Sequence, residues 1–424
     1  MSIQKKDKDF VWHPFTHLKD TSDNIVINKA EGLYYYDASG KKYMDVISSW
    51  WVNLHGHAHP YITKKITEQL QSFEHVIFSG FTHQPAVELS ERILKHLPKN
   101  QSKVFFSDNG STAVEVALKM VFQYWHNKGI PKSIFIALEN AYHGDTFGGM
   151  SVGARNVFNS AFENQLFNVA HIPIPTNENI HQIKEVIADW NKNHYIAGFI
   201  FEPLVQGAAG MQMYEASLLD DLVSFCKNLN IITIADEVMT GFGRTGKFFA
   251  SDYLENKPDI LCMSKGLTGG YFPLGLTSCS QQIYEAYLSD DKAKTFFHGH
   301  SYTGNPTSCA AALASLDLME KDVTWEKIKL IEEKHRTFLN KIKNHKACKA
   351  VRMQGTILAI EILTEEESHY LNKIAVKIPD YFLEKGIIMR PLGNIIYFIP
   401  PYCIEENELE YVYNATIDFL NSIS

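Results

Sequence analysis

Short apolar runs rich in β-branched residues punctuate the middle of the chain: Lys103–Phe106, Ser133–Leu138, Ile196–Phe201, Ile231–Ala235, Ile260–Met263 and Leu274–Cys279. Their near-continuous hydrophobicity is the pattern of strands buried on both faces, not of strands that alternate between core and water. Helical periodicity fills the intervals. In Ser111–Lys128 the residues Val114, Ala117, Leu118 and Val121 share one face behind a Ser/Thr start, and Leu218–Asn228 and Thr303–Met319 repeat the pattern. This alternation predicts an α/β fold with a mostly parallel central sheet, carried by a large domain over residues 56–319. Ligands then belong at the carboxyl ends of the strands.

Past residue 320 the pattern changes to a charged helix, Trp325–Lys343, two strand-like runs, Thr356–Leu363 and Ile395–Ile399, and a closing helix over Glu406–Leu420. These read as a smaller α+β unit. Residues 1–55, with a strand expected over Gly32–Tyr36 and a turn from Asp37 to Gly40, are expected to pack against it, so that residues 1–55 and 320–424 form one small domain.

At 424 residues, 45% hydrophobic and 21% charged, the chain is long enough for both units. A formal net charge of −8 offers no basic face for nucleic acid or an anionic membrane, and excludes both as expected partners. Cys226, Cys262, Cys279, Cys309, Cys348 and Cys403 lie far apart, as reduced core thiols do and as disulfide frameworks or zinc knuckles do not. The lysines near the N-terminus are followed by no apolar run, and no other stretch approaches the roughly 18 apolar residues of a membrane span, so a cytoplasmic protein is expected.

The chemistry concentrates where the apolar runs end. One run finishes in Asp236-Glu237, and 29 residues beyond Asp236 another finishes in Ser264-Lys265-Gly266, which sets a carboxylate and an amine at the same sheet edge. Alone, Asp236 reads as a turn acid and Lys265 as a surface lysine; together, among glycines, they fit pyridoxal phosphate. A buried carboxylate beside the pyridine nitrogen favours the protonated, electron-accepting ring by roughly 1–3 pKa units. A nearby lysine forms a Schiff base with the cofactor and, once released, serves as a general base. Ser107-Asp108-Asn109-Gly110-Ser111-Thr112 leads from a strand into a helix, whose free N–H groups and positive dipole end attract a phosphate. A Ser/Thr-rich cap without ligand reads equally well there. Tyr142, after the next strand, is placed either to lie flat on a pyridine ring or to fill the core.

These pieces, in this order, resemble the class III, ornithine-aminotransferase-like, aminotransferases of fold type I: Gly110-Ser111, Tyr142-His143-Gly144, the run from Asp236-Glu237 to Arg244-Thr245-Gly246, and Ser264-Lys265-Gly266. Within that class the chain is similar to the enzymes of biotin biosynthesis that turn 8-amino-7-oxononanoate into 7,8-diaminononanoate with S-adenosylmethionine as amino donor. That similarity runs from Trp12-His13-Pro14-Phe15-Thr16 through Ser48-Ser49-Trp50-Trp51 and Gln123-Tyr124-Trp125 to Arg390-Pro391-Leu392-Gly393 and Ile399-Pro400-Pro401.

The resemblance implies that Lys265 and Asp236 are catalytic and that Gly110, Ser111 and Tyr142 hold the cofactor. It implies that Phe15, Trp50, Tyr142 and Lys265 line the substrate pocket, with Arg390 receiving the substrate carboxylate, a role suited to a planar bidentate donor. Gly299, His300 and Ser301 fall where the family's partner subunit reaches across to phosphate and substrate, which implies a homodimer with a shared site. The pattern departs at Phe15, where adenosylmethionine-using members usually carry Tyr, and at His300-Ser301, where they carry Pro-Thr. Ser301 keeps the hydroxyl. Related lysine-using enzymes carry Phe at the position of Phe15, so lysine is the alternative donor; the aromatic faces of Trp50 and Trp51 favour the sulfonium.

Other readings predict different geometry. Another class III enzyme, acting on ornithine, 4-aminobutyrate or other terminal amines, would share the cofactor residues and differ in the pocket. Gly241-Phe242-Gly243-Arg244-Thr245-Gly246 is formally a dinucleotide fingerprint, but it does not follow its strand at once. His55, His57 and His59, with His298 and His300, raise a metal-dependent hydrolase, without visible carboxylate partners.

Overall fold

A computed structural model describes residues 1–19 and 22–424. Its centre is a seven-stranded sheet built from β1 (Gln101–Ser107), β2 (Ile134–Leu138), β3 (Val169–Ile172), β4 (Ile196–Phe201), β5 (Ile232–Asp236), β6 (Ile260–Met263) and β7 (Gly275–Ser280), in the spatial order β1-β7-β6-β5-β4-β2-β3. The pairings β6-β5, β5-β4, β4-β2 and β2-β3 are parallel; β7 runs antiparallel to both β6 and β1. The expected, mostly parallel sheet is therefore present. In β4 and β5 every residue is buried, which is why those runs read as continuous apolar segments. β3 was not anticipated: at the sheet edge, Val-Ala-His-Ile is buried fully only at Ile172 and has no apolar continuity.

The helix α1 (Gly110–Asn127) follows β1 and packs its buried Val114, Ala117, Leu118 and Val121 into the core under the sheet. Asn109 starts it: its side chain accepts from Thr112 N at 2.9 Å while Thr112 Oγ1 accepts from Asn109 N at 3.0 Å. On another side of the core the helix Pro306–Met319, buried nearly all round, packs against Pro60–Ser72 and Gln84–His96.

The C-terminal unit holds three antiparallel strands, Cys348–Gln354, Ile357–Ile362 and Ile395–Phe398, with the helix Asp322–Ile342 against the first two and the helix Glu406–Ser422 packed on that helix. The first of these strands went unread because none of its residues is fully buried and Lys349 and Arg352 interrupt its apolar pattern. Lys42–Asp45 pairs in parallel with Ile387–Ile388, so strands from the two ends of the chain share a sheet. The strand expected over Gly32–Tyr36 is present as Tyr34–Asp37, and it pairs antiparallel with an unread strand, Ile27–Glu31, across a turn at Gly32, which has φ +55°. Gly32 turns there to exchange two backbone hydrogen bonds with His57, of 2.9 and 2.7 Å. All six cysteines are free. Among the described residues, no helix is long and apolar enough to cross a membrane.

Candidate active site

A cavity of about 620 Å³ opens at the carboxyl ends of the parallel strands. Gly110, Ser111, Tyr142, His143, Glu202, Asp236 and Lys265 all line it, each lying at or just beyond the end of a strand or at the start of α1. The placement is the one expected for an α/β sheet, and it brings together the sequence-selected Gly110, Ser111, Tyr142, Asp236 and Lys265.

Asp236 ends β5 and is 5% exposed. Its Oδ1 accepts from Val238 N at 3.1 Å, and its Oδ2 lies 2.7 Å from His143 Nδ1. A carboxylate accepts only, so Nδ1 carries the proton of this bond. His143 Nε2 is buried and has no partner among the described residues. Lys265 sits two residues beyond the end of β6 at φ +46°, in the left-handed region that a side-chain-bearing residue occupies at a cost of about 1–3 kcal/mol. The turn is held by Leu267 N on Ser264 O at 3.0 Å and by Ser264 Oγ on Leu274 O at 2.7 Å. Burial pushes the Lys265 amine below its usual pKa, opposed by the carboxylates of Asp236 and Glu202. Its Nζ lies 4.8 Å from the centroid of the Trp51 ring.

Glu202 follows β4 as Asp236 ends β5. Oε1 accepts from Tyr142 N at 3.1 Å and Oε2 from Gly207 N at 2.9 Å. Burial raises its pKa to about 7, with Asp236 adding to the rise and His143 and the two N–H donors opposing it. Sequence reasoning missed Glu202, the His143 contact and the approach of Trp51 to Lys265. The signal for Glu202 was the same one that flagged Asp236, a carboxylate directly after a wholly apolar strand. Burial also raises the Tyr142 hydroxyl well above its ordinary value, with Asp145 contributing next.

At the helix end the first-turn N–H groups of Gly110 and Ser111 have no intrahelical acceptor, and they face an anion-ready cavity. Room there is tight: a Cβ on Gly110 would come within 2.7 Å of Val238 Cγ1, and one on Gly144 within 2.0 Å of Ser111 Oγ. The cradle thus depends on glycine at both positions.

Trp50 does not line this cavity, contrary to the expectation that it would sit in the pocket beside its neighbour. It lies outside, 40% exposed, with the Arg390 guanidinium 4.6 Å from its ring centroid and Phe15 edge-on at 5.5 Å. The strained turn through Ser48–Trp51 splits the two indoles, sending Trp51 inward and Trp50 outward. Phe15, Trp50 and Arg390, far apart in sequence, therefore form one cluster. Gly299, His300 and Ser301 lie outside the cavity of their own chain, on a surface loop where Ser301 O accepts from His75 Nε2 at 2.6 Å.

The rival motifs find structural partners. His55 Nε2 lies 3.0 Å from Ser315 Oγ and His57 Nε2 lies 2.9 Å from Asp45 Oδ2, and among the described residues no three His, Cys, Asp or Glu side chains could hold a metal. In the glycine run, Arg244 is 1% exposed and donates to Pro400 O and Asn53 O, both at 2.8 Å, so the loop clamps chain segments together instead of opening a nucleotide-binding helix.

Residues 17–420 match the family model described as aminotransferase class-III. The chain is 44% identical to the adenosylmethionine-8-amino-7-oxononanoate aminotransferase of Synechococcus elongatus, covering 97% of this chain and 99% of that relative. It superposes on the crystal structure of the enzyme of the same name from Methanocaldococcus jannaschii with a TM-score of 0.95 at 37% identity, over 99% of this chain and 98% of the other. An amine transaminase from an uncultivated Pseudomonas species, solved in a PLP-bound form, gives a TM-score of 0.91 at 30% identity over 98% and 99% of the two chains. The chain belongs to the class III aminotransferases.

Proposed function

We propose that this aminotransferase binds pyridoxal 5'-phosphate at Lys265 and transfers an amino group from S-adenosylmethionine to 8-amino-7-oxononanoate, giving 7,8-diaminononanoate for biotin synthesis. The observation that carries the reading is the meeting of Lys265 and Asp236, from neighbouring parallel strands, in one cavity walled by the N-terminus of α1. The residues present fit the cofactor. Gly110 and Ser111 would hold the phosphate, Tyr142 would cover the ring, and Asp236, oriented by His143, would pair with the ring nitrogen. When bound, the cofactor supplies an aldehyde that takes up amines and a protonated ring that accepts an electron pair.

The chain's own residues supply the rest. The depressed pKa of Lys265 leaves its amine able to accept a proton from the donor's carbon and to return one to the acceptor. Asp236, bonded to Val238 N and His143, would present its carboxylate to the ring nitrogen. Arg390, held by no ion pair among the described residues, has its guanidinium free for the acceptor's carboxylate, with Phe15 and Trp50 beside the aliphatic chain.

The names of the relatives favour S-adenosylmethionine as donor. Phe15 favours the second reading, lysine as donor. The two tryptophans do not decide the matter, because each already faces a cation of the protein, Trp51 Lys265 and Trp50 Arg390. The proposal assigns the enzyme to the cytoplasm and to a homodimer in which Gly299, His300 and Ser301 of each subunit complete the other's site. Ile77, Phe81, Phe297 and Tyr302, each more than 60% exposed, support a second copy covering that surface. The sheet shared by Lys42–Asp45 and Ile387–Ile388 supports residues 1–55 and 320–424 as one small domain.

Following the visible absorption band of the cofactor-loaded protein tests the reading. Adenosylmethionine should remove the band and 8-amino-7-oxononanoate should restore it. Loss with lysine alone would replace the donor; loss with neither would retire the pocket assignment; no band at all would retire the cofactor.

A further inference from the structure

The four residues Ser48–Trp51 carry both indoles of the site on a backbone that left-handed residues dominate: φ is +54° at Ser48, +59° at Ser49 and +66° at Trp51. Three such positions among four residues, none of them glycine and with Trp50 between the last two at φ −128°, do not persist without outside restraint. The restraint is a buried polar assembly. Asp45, wholly buried, accepts from Ile47 N at 3.2 Å through Oδ1 and from Ser49 N at 2.6 Å through Oδ2. The same Oδ2 lies 2.9 Å from His57 Nε2. Tyr35 hydroxyl bridges Ser49 Oγ, at 2.6 Å, and Asp45 Oδ2, at 3.4 Å.

Neighbours fix the histidine's tautomer. Asn53 Oδ1 accepts from Gly56 N at 2.7 Å, which leaves Asn53 Nδ2 to donate to His57 Nδ1 at 3.2 Å. His57 Nδ1 is then an acceptor, and the proton sits on Nε2, aimed at Asp45. Downstream, Ser48 Oγ donates to Ile399 O at 2.7 Å, and Trp51 Nε1 donates to Tyr397 hydroxyl at 3.0 Å, so the turn is pinned at its other end to the C-terminal unit.

We propose that Asp45 and His57 are positioning residues for catalysis: they hold the strained Ser48–Trp51 turn so that the Trp51 ring stays over the Lys265 amine and the Trp50 ring stays under Arg390. This rests on the reading of Lys265 as the reacting amine. Release of Ser49 N from Asp45 lets the turn relax toward ordinary φ, and any such change rotates Trp51 away from Lys265 and from Gly207, where a Cβ would lie 3.2 Å from the indole. Gly207 N is also a donor to Glu202, so a displaced indole disturbs the cavity wall at a second point.

A double-mutant cycle tests it on the full-length enzyme. Asp45→Asn should lower kcat at least tenfold with little change in KM, alter the near-ultraviolet circular dichroism of the cofactor-free protein, and leave its thermal midpoint within a few degrees. Trp51→Phe should cost a similar factor, and the pair together no more than either alone, because both act through one ring. His57→Gln, which keeps a donor toward Asp45, should recover part of the rate lost in His57→Ala. Multiplying effects in the Asp45–Trp51 pair, or an unchanged tryptophan dichroism in Asp45→Asn, would overturn the proposal. Should Asp45→Asn not fold, the cycle of His57→Ala with Trp51→Phe decides by the same criterion. Loss of the cofactor band in Lys265→Ala is the separate check on the reading beneath: if that variant turns over normally, the Lys265 assignment fails whatever the cycle gives.

Discussion

The floor of the cavity and its rim are built on opposite principles. Asp236, His143 and Glu202 are buried, are bonded to backbone or to each other, and sit at the ends of adjacent strands of one sheet. Phe15, Trp50 and Arg390 come from the two ends of the chain; Phe15 and Trp50 are 44% and 40% exposed, and ring contacts are what join the three. The floor is rigid because each polar atom there that moved would leave a buried partner unpaired. On the proposed reading its chemistry suits any amine, and the more exposed rim would select which amine and which acid.

The comparison would break first at Lys265. Lys265→Ala should abolish turnover, by about a thousandfold or more, while the protein still folds, since the change removes an amine and relieves none of the packing around β6. Normal turnover in borohydride-treated or untreated variant would end the assignment. Asp236→Asn should cost roughly 10²–10³ in kcat, matching the loss of a 1–3 pKa-unit preference for the protonated ring together with a weakened His143 bond. An unchanged rate would show that the ring nitrogen pairs elsewhere.

That floor was also the most legible part of the sequence, for a physical reason. Strands buried on both faces are continuous apolar runs, so Asp236 and Lys265 stood out as charges where such runs stop. The same rule, applied to Ile196–Phe201, would have found Glu202. Contacts set by backbone geometry left no such mark. Nothing in Ser48-Ser49-Trp50-Trp51 says that Trp51 turns in and Trp50 out, because the difference lies in left-handed dihedrals imposed by Asp45 and His57. Likewise the turn at Gly32 that precedes Tyr34–Asp37 follows from a pairing with His57, and β3 from its place at a sheet edge. The Phe15–Trp50–Arg390 cluster was assembled only by resemblance; no periodicity joins residues so far apart.

The rim is where smaller effects should appear. Arg390→Ala should raise KM for the carboxylate-bearing acceptor roughly 10–100-fold and leave kcat within a fewfold, because the lost interaction is made equally in ground and transition states. Equal losses for acceptor and donor half-reactions, measured separately by the cofactor band, would instead place Arg390 in the architecture of the site.

Stability against pH separates floor from rim in another way. Glu202 has a folded pKa of about 7 against an ordinary value of 4.5, so between those values the native protein holds a proton that the unfolded chain has released. Native protein binding more protons means that stability falls as pH rises through this window, by an amount on the order of 3 kcal/mol. Glu237, raised to about 7 by its own burial, adds a parallel slope. Glu202→Gln should remove only the Glu202 share, so the thermal midpoint of the cofactor-free variant should fall a few degrees less between pH 5 and pH 8 than that of the parent. Identical slopes would mean that Glu202 is ionised throughout.

The smallest expected change bears most directly on what the rim selects. Phe15 packs its edge against Trp50 at 5.5 Å and against Phe158 at 5.9 Å while remaining 44% exposed, so Phe15→Tyr adds a hydroxyl with access to water at little cost to packing. A phenol there offers a donor and acceptor that phenylalanine lacks, and a pocket built without that group discriminates only weakly against ligands that would use it. The substitution should therefore shift the ratio of kcat/KM for adenosylmethionine over lysine upward by roughly two- to tenfold, with the acceptor half-reaction unchanged. If both donors shift together, Phe15 shapes the entrance without reading the donor, and the preference lies deeper, with Trp51 and Tyr142 at the floor.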